Sequence, residues 1–325
     1  MLHPPTAIPF HATPGLNIPL PRSATPLQYL ELFFTVSVWR HLIETTNDYA
    51  RFRIGSMPPQ RRSLFRRWRD ITLLEMKAFI GMIINMGLIQ LSDIKDYWST
   101  HLTLNIPFFR KVFSWDRFLQ IYWMLHVGET STPTKRNKIQ PFLDLLLPLF
   151  RSYLTPSREL SIDESMVAFR GRVAFRQYIK GKPQPWGIKA YVLSESRTGY
   201  MYNVVIYYGK ETLLNTIPGM NHTTNVIMTL MEPLQNMGYD LYTDRFYTSP
   251  QVATQLLGIS TSITGTVMGN RKNMPAAARE GRQRRGEVAT YRQGSLVVVK
   301  WTDKRTLIAL TTKYTNRMVQ VPSRC

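Results

Sequence analysis

Residues 160–169 read Leu-Ser-Ile-Asp-Glu-Ser-Met-Val-Ala-Phe, and apolar and polar types largely alternate along them. Alternation with a period of two is typical of a strand that turns one face to a protein core. The pattern predicts a strand with the Asp163 side chain on one face and the Glu164 side chain on the other. Before about residue 159 the spacing of apolar residues is helical instead, so this strand marks a change of structural class.

The residues before this strand predict a leader and a helical region. Residues 1–25 are rich in Pro, Thr and His, and we expect a disordered leader there. In the region 26–158, Thr72 and Glu75 fit a capping box, in which each side chain bonds to the backbone N–H of the other at a helix start. Apolar residues at helical spacing predict helices over residues 27–49, 72–88, 115–126 and 139–154.

The residues after position 159 predict a mixed sheet with two helices. Strands are predicted over 160–169, 186–194, 200–207, 239–243 and 262–268, and helices over 223–237 and 250–257. This order matches the ribonuclease H-like arrangement, and it also fits other α/β layouts. The predicted fold class is α+β or α/β: a helical region over 26–158, a ribonuclease H-like mixed sheet over 159–268, and a β-rich basic segment over 269–325.

The charge of the chain indicates a polyanionic partner. The sequence has 41 Lys and Arg against 21 Asp and Glu, a net charge of +20, which favours nucleic acid or an acidic membrane. Half of this excess lies in residues 266–325. Dense basic runs at 61–69 and 271–285 fit a solvated face or loop. The second run contains glycine, and as a flexible loop it would also suit phosphate binding without reading sequence.

Several other classes of protein are disfavoured by simple counts. The single cysteine, Cys325, excludes an internal disulfide framework and a CxxC zinc module and indicates a reducing compartment. No HxxxH pair or GxxxxGK loop occurs, so neither a zinc ion nor a nucleotide cofactor is expected. The longest apolar stretch, residues 79–89, is about half the ~20 residues that span a bilayer, and we expect an intracellular protein without a membrane segment.

Two aspartates suit metal-assisted chemistry at phosphorus. Asp163 lies on the first strand and Asp244 directly follows the strand at 239–243, and these strands are neighbours in a ribonuclease H-like sheet. Mg²⁺ and Mn²⁺ prefer oxygen ligands, and a pair of such ions can stabilise the attacking and leaving oxygens. A turn or cap role for Asp244 and an ordinary exposed position for Asp163 are the alternatives. Glu164 would face the other way and is the weaker ligand.

Several motifs occur in a fixed order along the chain. They are Glu44-Thr-Thr-Asn-Asp-Tyr-Ala50, Asp96-Tyr-Trp-Ser99, Asp116-Arg-Phe118, Leu125-His126, Ile162-Asp-Glu-Ser-Met-Val-Ala-Phe-Arg-Gly-Arg172, Lys182-Pro-Gln-Pro-Trp-Gly-Ile-Lys189, Asp244-Arg-Phe-Tyr-Thr-Ser249, Gly265-Thr-Val-Met-Gly-Asn-Arg-Lys272 and Trp301-Thr-Asp-Lys-Arg305. Together they resemble the piggyBac transposase family over residues 27 to about 312. The block from Ile162 to Arg172 is the most diagnostic, and Arg245 stands where many members carry Asn.

This resemblance implies a cut-and-paste DNA transposase core that acts on double-stranded DNA in the nucleus. It implies a helical region for dimerisation and DNA binding, hence a possible homodimer. Asp163 and Asp244 match the first two of three catalytic, metal-binding aspartates, with Mg²⁺ or Mn²⁺ as the cofactor. The third aspartate lies in a downstream G-V-D-x-x-D-Q block that this sequence lacks, so we expect impaired or lost strand cleavage with DNA binding retained.

Three functions stay open on the sequence alone: a transposase-derived DNA-binding protein, an active transposase present as a fragment, and a truncated copy without a selected role. DNA contacts are predicted for basic residues of the diagnostic motifs and of the second basic run. These are Arg170, Arg172, Lys182, Lys189, Arg271, Lys272, Arg282, Arg284 and Arg285. For the motif residues among them, Arg170, Arg172, Lys182 and Lys189, an ordinary surface ion pair is the alternative.

Overall fold

The computed structural model describes residues 7–57, 60–61, 63–130, 134–181 and 183–316. Its helices are α1 (Pro26–Phe33), α2 (Val36–Ser56), α3 (Leu73–Leu88), α4 (Pro107–Val112), α5 (Trp115–Met124), α6 (Gln140–Tyr153), α7 (His222–Met231), α8 (Pro250–Gly258) and α9 (Ala276–Glu280). Its strands are β1 (Gly15–Leu16), β2 (Leu154–Thr155), β3 (Glu159–Ala168), β4 (Gln177–Tyr178), β5 (Trp186–Glu195), β6 (Met201–Ile206), β7 (Asp240–Thr243), β8 (Ser262–Thr266), β9 (Val288–Gln293), β10 (Leu296–Thr302) and β11 (Thr306–Thr311).

The chain divides into two compact units. Leu20–Leu149 form one, which we call the helical unit, and Met1–Pro19 together with Phe150–Cys325 form the other, the sheet unit. The segment 269–325, which the sequence separates from 159–268, contributes its strands to the same sheet as β3. In the described part of the chain, no helix is long and apolar enough to cross a membrane.

The helical unit is built from capped amphipathic helices around an aromatic core. The predicted capping box is confirmed: the Glu75 N–H donates to the Thr72 hydroxyl and the Thr72 N–H to the Glu75 carboxylate, each at 3.3 Å. A single helix over 27–49 is wrong, because the Thr35 hydroxyl accepts from the Val38 N–H and starts α2 anew. The core includes buried residues from α2, α3, α4 and α5, among them Trp39, Met76, Phe79, Phe109, Phe118 and Ile121.

The sheet unit contains one mixed sheet. Its strand order is β4-β5-β3-β7-β8-β11-β10-β9, and β6 also pairs with β5. β3 is antiparallel to β5 and parallel to β7, and β7 is parallel to β8. The five strands predicted first therefore lie in the order third, second, first, fourth, fifth. This is the ribonuclease H-like arrangement, and the predicted fold class is confirmed.

Helices α7 and α8 pack on one face of this sheet. α7 contacts β5 and β6, and α8 contacts β8. The core between helices and sheet holds Leu160 and Ile162 of β3, Leu241 of β7, and apolar residues of both helices. Because β3 alternates, Asp163 lies on the sheet face opposite this core.

The prediction of a disordered leader over residues 1–25 is wrong for residues 7–19. Residues 1–6 lie outside the described residues, but residues 7–19 are ordered against the sheet unit, where β1 pairs with β2. The His11 N–H donates to the Met237 carbonyl at 2.9 Å. Gly238 has a φ of +83°, and a Cβ there would lie 1.8 Å from the Pro9 carbonyl oxygen. Composition indicated disorder, whereas long-range pairing supplies the order.

The second basic run is also more ordered than its sequence indicates. It contains α9, whose Ala278 is fully buried in the core. The buried Lys300 ammonium of β10 donates to the Gly281 carbonyl. The expectation of a flexible loop over 271–285 is therefore wrong, because a small apolar side chain and an internal lysine tie the run to the sheet.

Candidate functional site

Asp163 and Asp244 lie side by side. In the parallel pair of β3 and β7, the last matched residues are Ile162 and Thr243. Asp163 is the residue after Ile162, and Asp244 is the residue after Thr243. Both aspartates are exposed. Parallel strands lie about 4.8 Å apart, so the two carboxylates face a shared space. The structure brings the two predicted metal ligands together, and their role as ligands stays a prediction.

Each of these carboxylates is oriented by nearby backbone. One oxygen of Asp163 accepts the Glu164 N–H at 2.7 Å. One oxygen of Asp244 accepts the N–H groups of Phe246 and Tyr247 at 2.8 and 3.4 Å, which is the turn role considered as an alternative. Within the described ranges, the second oxygen of each has no hydrogen-bond partner. One oxygen per aspartate is therefore free to bind a ligand.

Glu164 and Lys189 form an ion pair on the opposite face of the same strands. The Lys189 ammonium lies 3.4 Å from a Glu164 carboxylate oxygen, and both side chains are half-buried. The ammonium also lies 4.8 Å from the Tyr191 ring centroid and 5.4 Å from the Phe246 ring centroid. Lys189 is thus directed inward, towards the segments that carry Asp163 and Asp244, and its predicted DNA contact stays untested.

Sequence reasoning missed three residues near this ion pair: Tyr191, His222 and Tyr247. The Tyr191 hydroxyl lies 3.0 Å from Nε2 of His222, and burial raises the pKa of Tyr191 to about 12. Burial, followed by the charge of Glu164, raises the pKa of the Tyr247 hydroxyl well above its usual range. A signal was available for Tyr191, because it shares a strand face with Lys189 at a two-residue spacing.

Arg271 lies against the loop that follows β7. Its guanidinium donates to the Arg245 carbonyl at 3.0 Å and to the Phe246 carbonyl. The side chain is half-buried, and its Nε is buried without a hydrogen-bond partner in the described part of the chain. Asp244 holds the N–H of Phe246 and Arg271 holds its carbonyl, so the loop is fixed from both sides. The structure therefore gives Arg271 a structural contact, and its DNA contact stays a prediction.

The rest of the second basic run faces solvent. Lys272, Arg282 and Arg284 are exposed, and their side chains have no acidic partner among the described residues. By contrast, Arg285 donates to Asp303 at 2.8 Å. Unpaired exposed cations attract phosphate most readily, because no internal carboxylate competes for them.

The cations of the diagnostic block precede the short hairpin of β4 and β5. Arg170 and Arg172 are exposed, and the carbonyls of Arg170 and Gly171 accept from the Arg176 guanidinium at 3.1 and 3.2 Å. Lys182 lies outside the described residues. Arg176 was missed by the sequence prediction, although it precedes β4 by only one residue and carries the same charge as its neighbours.

The aspartate pair fits a hard divalent cation only in part. Carboxylate oxygens are the ligands that Mg²⁺ and Mn²⁺ prefer, and Asp163 and Asp244 each present one free oxygen. Over the described ranges, no three His, Cys, Asp or Glu side chains come together as a metal site. Asp163 and Asp244 are the residues of this chain that would hold an ion, and it would polarise a phosphoryl oxygen there.

Known proteins resemble this chain in sequence and in fold. Human PiggyBac transposable element-derived protein 5 is 27% identical over 208 residues, which are 61% of this chain and 38% of that protein. Human PiggyBac transposable element-derived protein 3 is 24% identical over 254 residues, 75% of this chain and 40% of that protein. The chain spans about two fifths of the length of these curated relatives.

A solved structure is similar over almost the whole chain. A piggyBac transposase in a synaptic complex with hairpin DNA matches with a TM-score of 0.81 and 24% identity, covering 95% of this chain and 65% of that one. The fold is that of a ribonuclease H-like transposase core.

A family profile described as Transposase IS4 matches residues 25–324. The chain therefore belongs to the Transposase IS4 family, and the resemblance to piggyBac transposases is confirmed. Transposases of this DDE class generally use divalent metal ions.

Proposed function

We propose that this protein binds double-stranded DNA through the exposed cations of its sheet unit. The observation that carries the proposal is the set of unpaired cations Lys272, Arg282 and Arg284 in the same sheet unit as Asp163 and Asp244. The net charge of +20 supports it, as does the likeness to a transposase bound to hairpin DNA. Phosphate contacts of this kind position DNA without reading its sequence.

The salt dependence of binding tests this proposal. We expect the double variant Arg282→Gln/Arg284→Gln to bind a random duplex more weakly and to lower the slope of log affinity against log salt by about 1.8, since each phosphate contact contributes ~0.9. The matched control is Arg279→Gln/Arg285→Gln, which removes the same charge from guanidinium groups already paired with Glu280 and Asp303.

The control should lower the slope by less than half as much. Wild-type affinity that does not change between low and moderate salt would contradict phosphate binding. Equal slopes for the two double variants would show that the unpaired cations have no special part in it.

Metal-assisted DNA strand cleavage is the second candidate function, and the adjacency of Asp163 and Asp244 favours it. In this reaction the two aspartates would hold the ion, while Lys189 and Arg271 fix the segments that carry them. We propose that cleavage is weak or lost, because two carboxylates supply too few ligands to fix a pair of ions.

Nicking of a supercoiled plasmid in Mn²⁺ distinguishes the two candidates. We expect no nicking above background for the wild type. Nicking that Asp163→Asn abolishes and Glu159→Gln retains would establish the enzyme instead, since Glu159 lies on the same strand face as Asp163 at the far end of β3.

The setting of this function is also a proposal. We propose that the protein is nuclear, because DNA is its partner, and that it acts as a homodimer, as the family resemblance implies. Imaging of the tagged chain and its mass in solution by light scattering test these two points. Exclusion from the nucleus or a monomer at micromolar concentration would contradict them.

A further inference from the structure

Two large aromatic side chains stand exposed on the hairpin of β4 and β5. Tyr178 and Trp186 are opposite each other in the antiparallel register and are 56% and 46% exposed. Their ring centroids are 4.9 Å apart, with the rings tilted by 51°. We call this pair the aromatic platform. Neither ring contributes to the buried core, so packing does not explain why two such residues occur together.

Packing and a backbone hydrogen bond next to the platform hold it in place. Phe175, just before β4, is buried and meets the Tyr208 ring edge-on at a centroid distance of 5.0 Å. The Ile179 N–H donates to the Pro185 carbonyl at 2.8 Å and closes the hairpin. A rigid base with exposed rings on top is the arrangement that a stacking site requires, because little freedom is lost when a ligand stacks on it.

A guanidinium group lies against the platform, and two more cations lie close to it in the sequence. The Arg176 guanidinium lies 4.5 Å from the Trp186 ring centroid, and it also donates to the carbonyls of Arg170 and Gly171. A Cβ at Gly171 would lie 2.5 Å from the Phe169 ring, so a larger residue there requires the ring to move. Arg176 thereby ties the backbone of residues 170 and 171 to the Trp186 ring, and the side chains of Arg170 and Arg172 are exposed. Aromatic faces among guanidinium groups match a nucleobase among its phosphates.

We infer that the aromatic platform binds an unpaired nucleobase of DNA, with Arg170 and Arg172 on the adjoining phosphates. Bases inside a duplex already stack on their neighbours and offer no free face, whereas a bulged or unwound base does. This inference rests on the proposed DNA binding and adds a preference for a local DNA structure. This preference would distinguish the β4–β5 hairpin from the second basic run, which has no exposed aromatic pair among the described residues.

The platform is within reach of the aspartate pair. Ala168, five residues along β3 from Asp163, pairs with Gly187 next to Trp186, a separation of roughly 17 Å at ~3.4 Å per residue. A nucleic-acid strand advances about 3.4 Å per nucleotide. A base on the platform would thus lie about five nucleotides from the phosphate at the aspartates.

Two duplexes that share one labelled strand test the inference. The strand carries a single 2-aminopurine and is annealed either to its full complement or to a complement that lacks the opposing nucleotide. We expect the wild-type protein to bind the bulged duplex roughly tenfold more tightly, from one stacked base, and to quench the 2-aminopurine fluorescence. Trp186→Leu should lose both effects while its affinity for the paired duplex stays within about twofold.

The matched control is Trp301→Leu, which removes an exposed tryptophan, 40% accessible, from β10 of the same sheet. It should keep the preference, as should Trp186→Phe. If Trp186→Leu fails to fold by circular dichroism, Tyr178→Ala takes its place with the same expected loss.

The possible failures are distinguishable. Equal wild-type affinity for the two duplexes without quenching overturns this inference and leaves DNA binding intact. Loss of the preference in Trp301→Leu as well overturns the assignment to the platform. No wild-type binding to either duplex overturns both this inference and the proposed function.

Discussion

The two basic runs look alike in sequence and are held in opposite ways. In the helical unit, the run at 61–69 is anchored by Arg117, a buried residue of α5 that donates to the Arg69 carbonyl at 3.1 Å. In the sheet unit, the anchoring residue is Arg271, which belongs to the run and holds the loop after Asp244. In one unit an arginine elsewhere fixes the run, and in the other the run fixes a different loop.

The difference lies in the partners of the two guanidinium groups. Arg117 makes a two-point contact with the Glu75 carboxylate, at 2.9 and 3.0 Å, and its side chain is 9% exposed. Arg271 bonds only to backbone carbonyls, and no carboxylate contacts it in the described part of the chain. An unpaired charge costs far more free energy when it is buried than when it is half-buried. Charge density along a sequence therefore does not reveal which arginine is structural.

Removing Arg117 gives the largest expected effect. Arg117→Leu removes the two-point contact and leaves the half-buried Glu75 carboxylate only the ion pair with the exposed Arg69, at 2.7 Å. We therefore expect the free energy of unfolding of the helical unit to fall by about 3 kcal/mol. Urea unfolding followed by tryptophan fluorescence measures it, since five of the seven tryptophans lie in this unit.

Lys77→Gln is the control for this measurement, because it breaks the exposed pair with Glu31. Its effect should stay below about 1 kcal/mol. Similar losses for the two variants would remove the contrast between the anchored run and an ordinary surface pair.

Removing Arg271 should act locally. Arg271→Leu deletes two charge-assisted hydrogen bonds to the loop, and we expect a loss of about 2 kcal/mol in the opening free energy of that loop. Hydrogen exchange at the amides of Phe246 and Tyr247 measures it, while exchange in α3 and α5 should be unchanged. Lys272→Leu, which removes the exposed neighbouring cation, should leave the loop amides as protected as in the wild type.

The Glu75 carboxylate should make the helical unit sensitive to acid. Burial pushes its pKa up, but hydrogen bonds from Arg117 and the Thr72 N–H, with the charges of Arg117 and Arg69, lower the pKa below its ordinary 4.5. A lowered folded-state pKa stabilises the fold fully above pH 4.5 and loses that stabilisation as the pH falls through the folded pKa. Urea midpoints between pH 6 and pH 3 should fall more steeply for the wild type than for Glu75→Gln, and parallel curves would contradict this.

The exposed members of both runs should matter least for stability. Arg67→Gln and Arg284→Gln remove side chains without an acidic partner among the described residues, and each should change the free energy of unfolding by less than about 0.5 kcal/mol. Thermal unfolding measures both. A large loss for either would place that residue among the anchoring arginines.

Period-two alternation explains why much of the sheet could be predicted. It gave β3, β5 and β7 within a residue or two of their ends, and the strand order placed Asp163 beside Asp244. It also carried an unused signal for Lys189, which shares its face with the buried Tyr191 and Leu193 and so points inward.

Contacts between segments distant in the chain could not be predicted in the same way. Arg271 reaches the Phe246 carbonyl only because β7 and β8 are neighbours, and no local pattern encodes that approach. The ordered structure of residues 7–19 has the same origin. β1 precedes the helical unit in the sequence and pairs with β2, which follows it.

That last contact makes the helical unit a continuous insertion into a sheet unit built from two separated stretches of chain. The Asn17 N–H donates to the Tyr153 carbonyl at 3.0 Å, and its side-chain amide donates to the Thr155 hydroxyl at 2.9 Å. The points where the chain leaves and re-enters the sheet unit are therefore adjacent. A short glycine-rich bridge from Pro19 to Phe150 would replace the whole insertion, and the proposed DNA binding would then be testable on the sheet unit alone.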